Sequence, residues 1–121
     1  MAKILVVDDE EMICQEFKDI LLEDGHEVDV AHEGMAALKK VRETSYDLIF
    51  LDVLMPRMEG REVFEKIQQS RKTPVAIMSG YIPPNKEKEV LALGAVACFK
   101  KPLDLERIKS LISSIKPSRT N

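Results

Sequence analysis

Leu48-Ile49-Phe50-Leu51-Asp52 decides the fold. Four consecutive apolar residues suit a strand covered on both faces, as in the middle of a parallel sheet, and the carboxylate that ends the run then falls at the sheet edge. The pattern recurs on either side. Ile4-Leu5-Val6-Val7 runs into Asp8 and Asp9, Val75-Ala76-Ile77-Met78 into Ser79, and Val96-Ala97-Cys98-Phe99 into Lys100 and Lys101. If these runs are neighbouring parallel strands, three carboxylates, a hydroxyl and an ammonium converge on the carboxyl rim, where open α/β sheets bind ligands. Carboxylates at such range repel unless a cation lies among them, and an oxygen-only donor set points to a hard ion such as Mg²⁺.

Between the runs lie segments with helical spacing: Ile13, Cys14, Phe17, Ile20 and Leu21; Ala37, Leu38 and Val41; Val63, Phe64 and Ile67; Val90, Leu91 and Leu93; Leu105, Ile108, Leu111, Ile112 and Ile115. Val28-Asp29-Val30-Ala31 alternates and suits an edge strand. Gly25 and Gly94 stand where helices should stop, and Pro83-Pro84 where one should start. Five βα units joined by short connections predict a doubly wound parallel sheet. With the alternating strand at one edge, the expected order is 2-1-3-4-5, a flavodoxin-like (βα)5 arrangement.

The chain of 121 residues, 45% hydrophobic, holds one core of ordinary size. We expect one domain over residues 1–116 and a tail or linker start over residues 117–121. With 18 basic and 21 acidic residues, the net charge of -3 singles out neither nucleic acid nor a disordered acidic tail. Cys14 and Cys98 are far apart and form no Cys-x-x-Cys, so neither a disulfide framework nor a zinc site is expected, and a reducing cytoplasm is the default. No signal peptide is read at the start, and no stretch approaches the roughly 20 apolar residues of a membrane span. His26 and His32 lack Cys or acidic companions at ligand spacing. An isolated Asp-Asp pair after a strand is often only a loop start, and a Lys pair usually a solvated one. Their weight here comes from occurring together.

Asp52, held at the end of a rigid strand in partly dry surroundings, can act as a nucleophile towards phosphorus once a cation screens an anionic donor. Asp8 and Asp9 supply much of the metal site. Lys101 offers a point charge for a phosphoryl oxygen, and Ser79 a hydroxyl that can follow the charge. Three carboxylates with Mg²⁺ and one Lys balance to zero, so an added phosphoryl group forces something nearby to move.

The chain resembles the receiver domain of bacterial two-component response regulators. The resemblance rests on Val6-Val7-Asp8-Asp9-Glu10, on the loop from Leu51-Asp52 to Glu59-Gly60, on Met78-Ser79-Gly80, and on Gly94-Ala95 through Lys101-Pro102. These signals span essentially the whole chain. The resemblance implies that Asp52 takes a phosphoryl group from a sensor kinase phosphohistidine or a phosphotransfer protein. It implies that Asp9, Asp52 and the carbonyl of Leu54 bind Mg²⁺ directly, with Asp8 helping through water. Ser79 and Lys101 hold the phosphoryl oxygens, and Lys101-Pro102 is cis. Such a protein is no enzyme beyond its own phosphorylation and slow dephosphorylation, and is a monomer or weak dimer. It contacts a downstream partner through the fourth helix, fifth strand and fifth helix, and kinase choice involves first-helix residues such as Glu11, Gln15 and Lys18. A stand-alone, chemotaxis-type regulator is expected, without direct nucleic-acid or membrane contact.

One departure stands out. The family usually carries Tyr or Phe three residues before the closing Lys, where this chain has Cys98. A thiol cannot fill a ring-sized space, and Phe99 points to the other face of its strand. Tyr81 lies closer to the rim. Among other functions for such a fold, an FMN carrier needs a phosphate cradle that Asp8-Asp9-Glu10 would repel. A haloacid-dehalogenase-type phosphatase needs Asp-x-Asp and a cap. A degenerate receiver acting only as a docking module stands against a full set of site residues.

Overall fold

The computed structural model describes residues 2–52, 60–70, 73–80 and 83–115. Leu54, Met55, Met58, Tyr81 and the tail of residues 117–121 lie outside the described residues. Strands and helices alternate: β1 (Lys3–Val7), α1 (Glu11–Glu23), β2 (Glu27–Ala31), α2 (Gly34–Glu43), β3 (Leu48–Asp52), α3 (Gly60–Ser70), β4 (Val75–Ser79), α4 (Pro84–Ala92), β5 (Ala97–Lys100) and α5 (Leu105–Ser114). The strands form one sheet in the predicted order β2-β1-β3-β4-β5, with every neighbouring pair parallel.

Alternation along each strand sorts the core into two layers. Leu5, Val7, Ile49, Leu51, Val75 and Ile77 pack with Ala37, Leu38 and Val41 of α2, Val63, Phe64 and Ile67 of α3, and Val90 of α4. Ile4, Val6, Leu48, Phe50, Ala76, Met78 and Phe99 pack with Cys14, Phe17 and Leu21 of α1 and Ile108 and Ile112 of α5. Phe50 anchors the second layer, its ring centroid 4.9 Å from that of Phe17 and 6.2 Å from that of Phe99. Every residue of β3 and β4 is buried, whereas β2 is only partly so, as its alternating sequence predicts.

Asp52 and Ser79 are the last residues of their strands, the strand ends at which the sequence places them, and Asp52 is in register with Met78. The structure departs from the sequence reading in other particulars. Val96 donates its N–H to the carbonyl of Val75 at 2.9 Å, but its side chain faces solvent and the fifth strand begins one residue later. Leu91 and Leu93 are exposed, as is Leu105, and Val90 is the one buried residue of α4. A helix this short covers only the margin of the sheet with one side. Leu91 is rotated about 100° from Val90, and Leu93 follows the last turn. Among the described residues no helix is long and apolar enough to cross a membrane.

Both predicted glycine stops close as Schellman motifs. Gly25 (φ 85°) donates to Leu22 at 3.0 Å and His26 to Leu21 at 3.0 Å, while Gly94 (φ 113°) donates to Leu91 at 3.1 Å and Ala95 to Val90 at 3.0 Å. A Cβ at position 25 would meet no atom within 4 Å, so Gly25→Ala isolates the cost of the left-handed backbone. That variant should lose about 1 kcal/mol, read as a lower urea midpoint at unchanged slope. Gly94→Ala should lose at least as much, since its Cβ would also stand 3.3 Å from Gln68 Nε2.

Candidate functional site

Parallel strands all deliver their carboxyl ends to one rim, and the polar residue ending each central run is found there. Asp8 follows β1 and is fully buried, Asp52 ends β3 at 3% exposure, Ser79 ends β4 fully buried, and Lys101 follows β5. The main chain ties the last two together, with Lys101 N–H donating to the Ser79 carbonyl at 2.8 Å. The Lys101-Pro102 bond is cis, as the resemblance implied. Lys100, in register with Ser79, is exposed.

At the centre lies the Lys101 ammonium. Its Nζ is 2.8 Å from Asp8 Oδ2, 3.0 Å from Glu10 Oε1 and 3.1 Å from Asp52 Oδ2. Burial works against the charge of Lys101, but the three carboxylates outweigh it and hold the group protonated well above the usual lysine range. Burial pushes the Asp8 carboxyl up and the Asp52 charge adds to this, while Lys101 and the Glu10 N–H pull it down. Asp8 Oδ1 accepts that N–H at 2.9 Å. Asp8 Oδ2 faces the ammonium at ion-pair distance but off any hydrogen-bond direction, so this buried oxygen has no hydrogen-bond partner.

Carboxylate oxygens of Asp8, Glu10 and Asp52 all lie within 4.8 Å of one another. One ammonium against three carboxylates leaves two negative charges to balance. An all-oxygen set with that residual charge and an orphaned buried oxygen suits a hard divalent cation such as Mg²⁺.

The structure thus brings together Asp8, Asp52 and Lys101 of the predicted residues, with Ser79 at the adjoining strand end. Asp9 is exposed and falls outside this carboxylate group, and Leu54 lies outside the described residues. Glu10 takes a place in the group that the sequence reading did not assign to it. Sequence periodicity does not show it, because the chain bends at Asp9 and the Glu10 N–H is bonded to the Asp8 side chain.

Behind the acidic loop, the Asp8 carbonyl accepts from Cys14 Sγ at 3.4 Å and from His32 Nδ1 at 3.1 Å. Cys14 Sγ and His32 Nδ1 are 3.8 Å apart, so His32 does have a cysteine companion, brought near by the pairing of β1 and β2. Sequence spacing could not show it. Burial, with the nearby Asp8 charge, pushes the Cys14 thiol up to about 11, and both side chains bond the main chain at Asp8.

The family model described as response regulator receiver domain matches residues 4–113. The response regulator ArlR of Staphylococcus haemolyticus is 30% identical over 115 residues, covering 95% of this chain and 52% of the relative. The chain therefore spans about half the length of that curated relative. Among solved structures, the chemotaxis protein CheY4 of Vibrio cholerae superposes with a TM-score of 0.86 at 34% identity, covering 96% of this chain and 99% of the other. The response regulator TrrA of Thermotoga maritima, solved in complex with Mg(2+)-BeF, superposes with a TM-score of 0.83 at 32% identity, covering 94% of this chain and 98% of the other. Strand order, rim chemistry and a family match over most of its length agree: the chain belongs to the response regulator receiver domain family.

Proposed function

We propose that the domain is a phosphoacceptor switch of two-component signalling in which Asp52 takes a phosphoryl group from the phosphohistidine of a sensor kinase or phosphotransfer protein. The observation that carries this reading is the convergence of Asp52, Asp8 and the Lys101 ammonium at the ends of three strands. In this reading Asp8, Asp9 and Asp52, with the carbonyl of Leu54, are the residues that would hold Mg²⁺, Asp9 after turning inwards from its exposed side of the loop. The ion, when bound, screens the negative charge between carboxylate and donor.

An Asp52 carboxylate oxygen forms the new bond to phosphorus as the phosphorus–nitrogen bond breaks, and the electron pair leaves with the imidazole nitrogen. Lys101 stays with the negative charge that builds on the phosphoryl oxygens, and the Ser79 hydroxyl donates to one of them. The domain thereby catalyses its own phosphorylation and, with water as attacking group, its slow dephosphorylation. The docking-module alternative is not favoured, because Lys101 and both buried carboxylates are in place.

The added charge is read out at α4, β5 and α5, the elements beside Ser79 and Lys101, by a downstream protein and not by nucleic acid directly. The domain acts as a monomer or weak dimer in the cytoplasm, in keeping with its two free thiols. Cys98 tunes this face. It is half-buried against the layer that contains Val90, while Phe99 is buried in the opposite layer with the Arg107 guanidinium 5.1 Å from its ring centroid. The neighbouring ring therefore cannot take the place of one at position 98.

Incubation with acetyl phosphate and Mg²⁺ should add the mass of one phosphoryl group to the intact protein, and neither Asp52→Asn nor metal-free protein should gain it. Lys101→Met should slow the gain about 10²-fold or more. A gain that persisted in Asp52→Asn would refute the assignment. Cys98→Tyr should change both phosphoryl lifetime and partner affinity, and no change in either would remove position 98 from the switch. Burial, with the Glu87 charge, pushes the Cys98 thiol up to about 11. Its alkylation by iodoacetamide should accordingly climb with a midpoint near pH 11, leaving the thiolate at neutral pH about 100-fold scarcer than in an unshifted thiol.

A further inference from the structure

Glu10 occupies the N-cap position of α1 with extended backbone (φ -87°, ψ 110°), yet its side chain accepts no hydrogen bond from the helix. A polar side chain at this position commonly satisfies one of the free N–H groups of the first turn. Instead Glu10 Oε1 accepts from Lys101 Nζ at 3.0 Å, across 91 positions of the chain. The two sequence-distant residues meet at the mouth of the site, where the side chain of Glu10 is 61% exposed and that of Lys101 13%.

Three carboxylates stand around the Lys101 ammonium, of which Glu10 and Asp52 accept hydrogen bonds from it and Asp8 pairs with it by charge alone. A phosphoryl oxygen arriving on Asp52 competes with them for that ammonium. Releasing Asp8 or Asp52 strands a buried charge, whereas Glu10 can be released into water at little cost. We propose that Glu10 is a positioning residue that competes with the phosphoryl group for Lys101, holding the ammonium at the mouth of the unphosphorylated site and weakening its hold on the phosphorylated one. The proposal rests on Asp52 as the acceptor.

Two substitutions separate contact from charge. Glu10→Gln removes the charge, and Glu10→Asp keeps it on a side chain one methylene too short to span the present contact. Both should shift the Nζ resonance of Lys101 in metal-free protein. Both should also tighten binding of beryllofluoride in the presence of Mg²⁺ by about two- to fivefold, the size expected for releasing an exposed ion pair. Tighter binding in Glu10→Gln with Glu10→Asp left at the wild-type value would overturn the proposal in favour of general charge repulsion. Weaker binding in both would overturn it in favour of Glu10 supporting the cation, and an unmoved Lys101 resonance would overturn it outright. Failure of the acceptor reading looks different: wild type and Asp52→Asn would then be equally phosphorylated or equally inert, while the Lys101 resonance would still respond to Glu10.

Discussion

Two carboxylates almost wholly withdrawn from water depend on one ammonium. Asp8 is fully buried and Asp52 nearly so, and carboxyl groups in such places gain a proton or find a cation. Lys101 is that cation, at 2.8 and 3.1 Å, and the carboxylates in return keep it charged against its own burial. Removing one partner of such a set leaves an uncompensated buried charge, at a cost of about 3–5 kcal/mol. The counter-ion that lets the rim fold is thus the group to which the proposed function gives the phosphoryl oxygens. The main-chain bond from Lys101 to Ser79 ties the backbone that carries the ammonium to the strand end that bears the hydroxyl.

The sheet was legible because its central strands are covered on both faces, so their sequences are continuous apolar runs that no amphipathic helix would show. Its order followed from the alternating second strand, and the helix stops from two glycines that adopt positive φ. What escaped was the set of contacts that depend on side-chain direction at the margins. Leu91 and Leu93 have core-like identities but sit where no layer covers them. Glu10 follows two aspartates and reads as one more rim charge until the turn at Asp8 aims it at Lys101. His32 and Cys14 meet only because two parallel strands end side by side.

The two core layers give the departure at position 98 its meaning. Residues 98 and 99 divide between the layers, so the packing of Phe99 against Phe50 and beneath Arg107 is independent of whatever fills the space around Cys98. A small thiol beside a short helix with one buried residue leaves α4 lightly fastened to the sheet. Local openings of a fold are drawn from regions with few buried apolar contacts. In the proposed switch, this light fastening is what would let the elements nearest Ser79 and Lys101 respond when the charge at the rim changes.

The helix ends carry a polarity of their own. At the far edge of the sheet, α1 and α4 finish in closed glycine turns whose last carbonyls are bonded. At the rim the arrangement is reversed. No side chain caps the start of α1, α2 or α4, whereas α5 has its first N–H groups taken by Asp104. Each open start presents the positive end of an aligned row of peptide dipoles, equivalent to roughly half an elementary charge. The open starts of α1, α2 and α4 thus offset part of the negative charge of the acidic centre with a backbone contribution that survives any change of side chain.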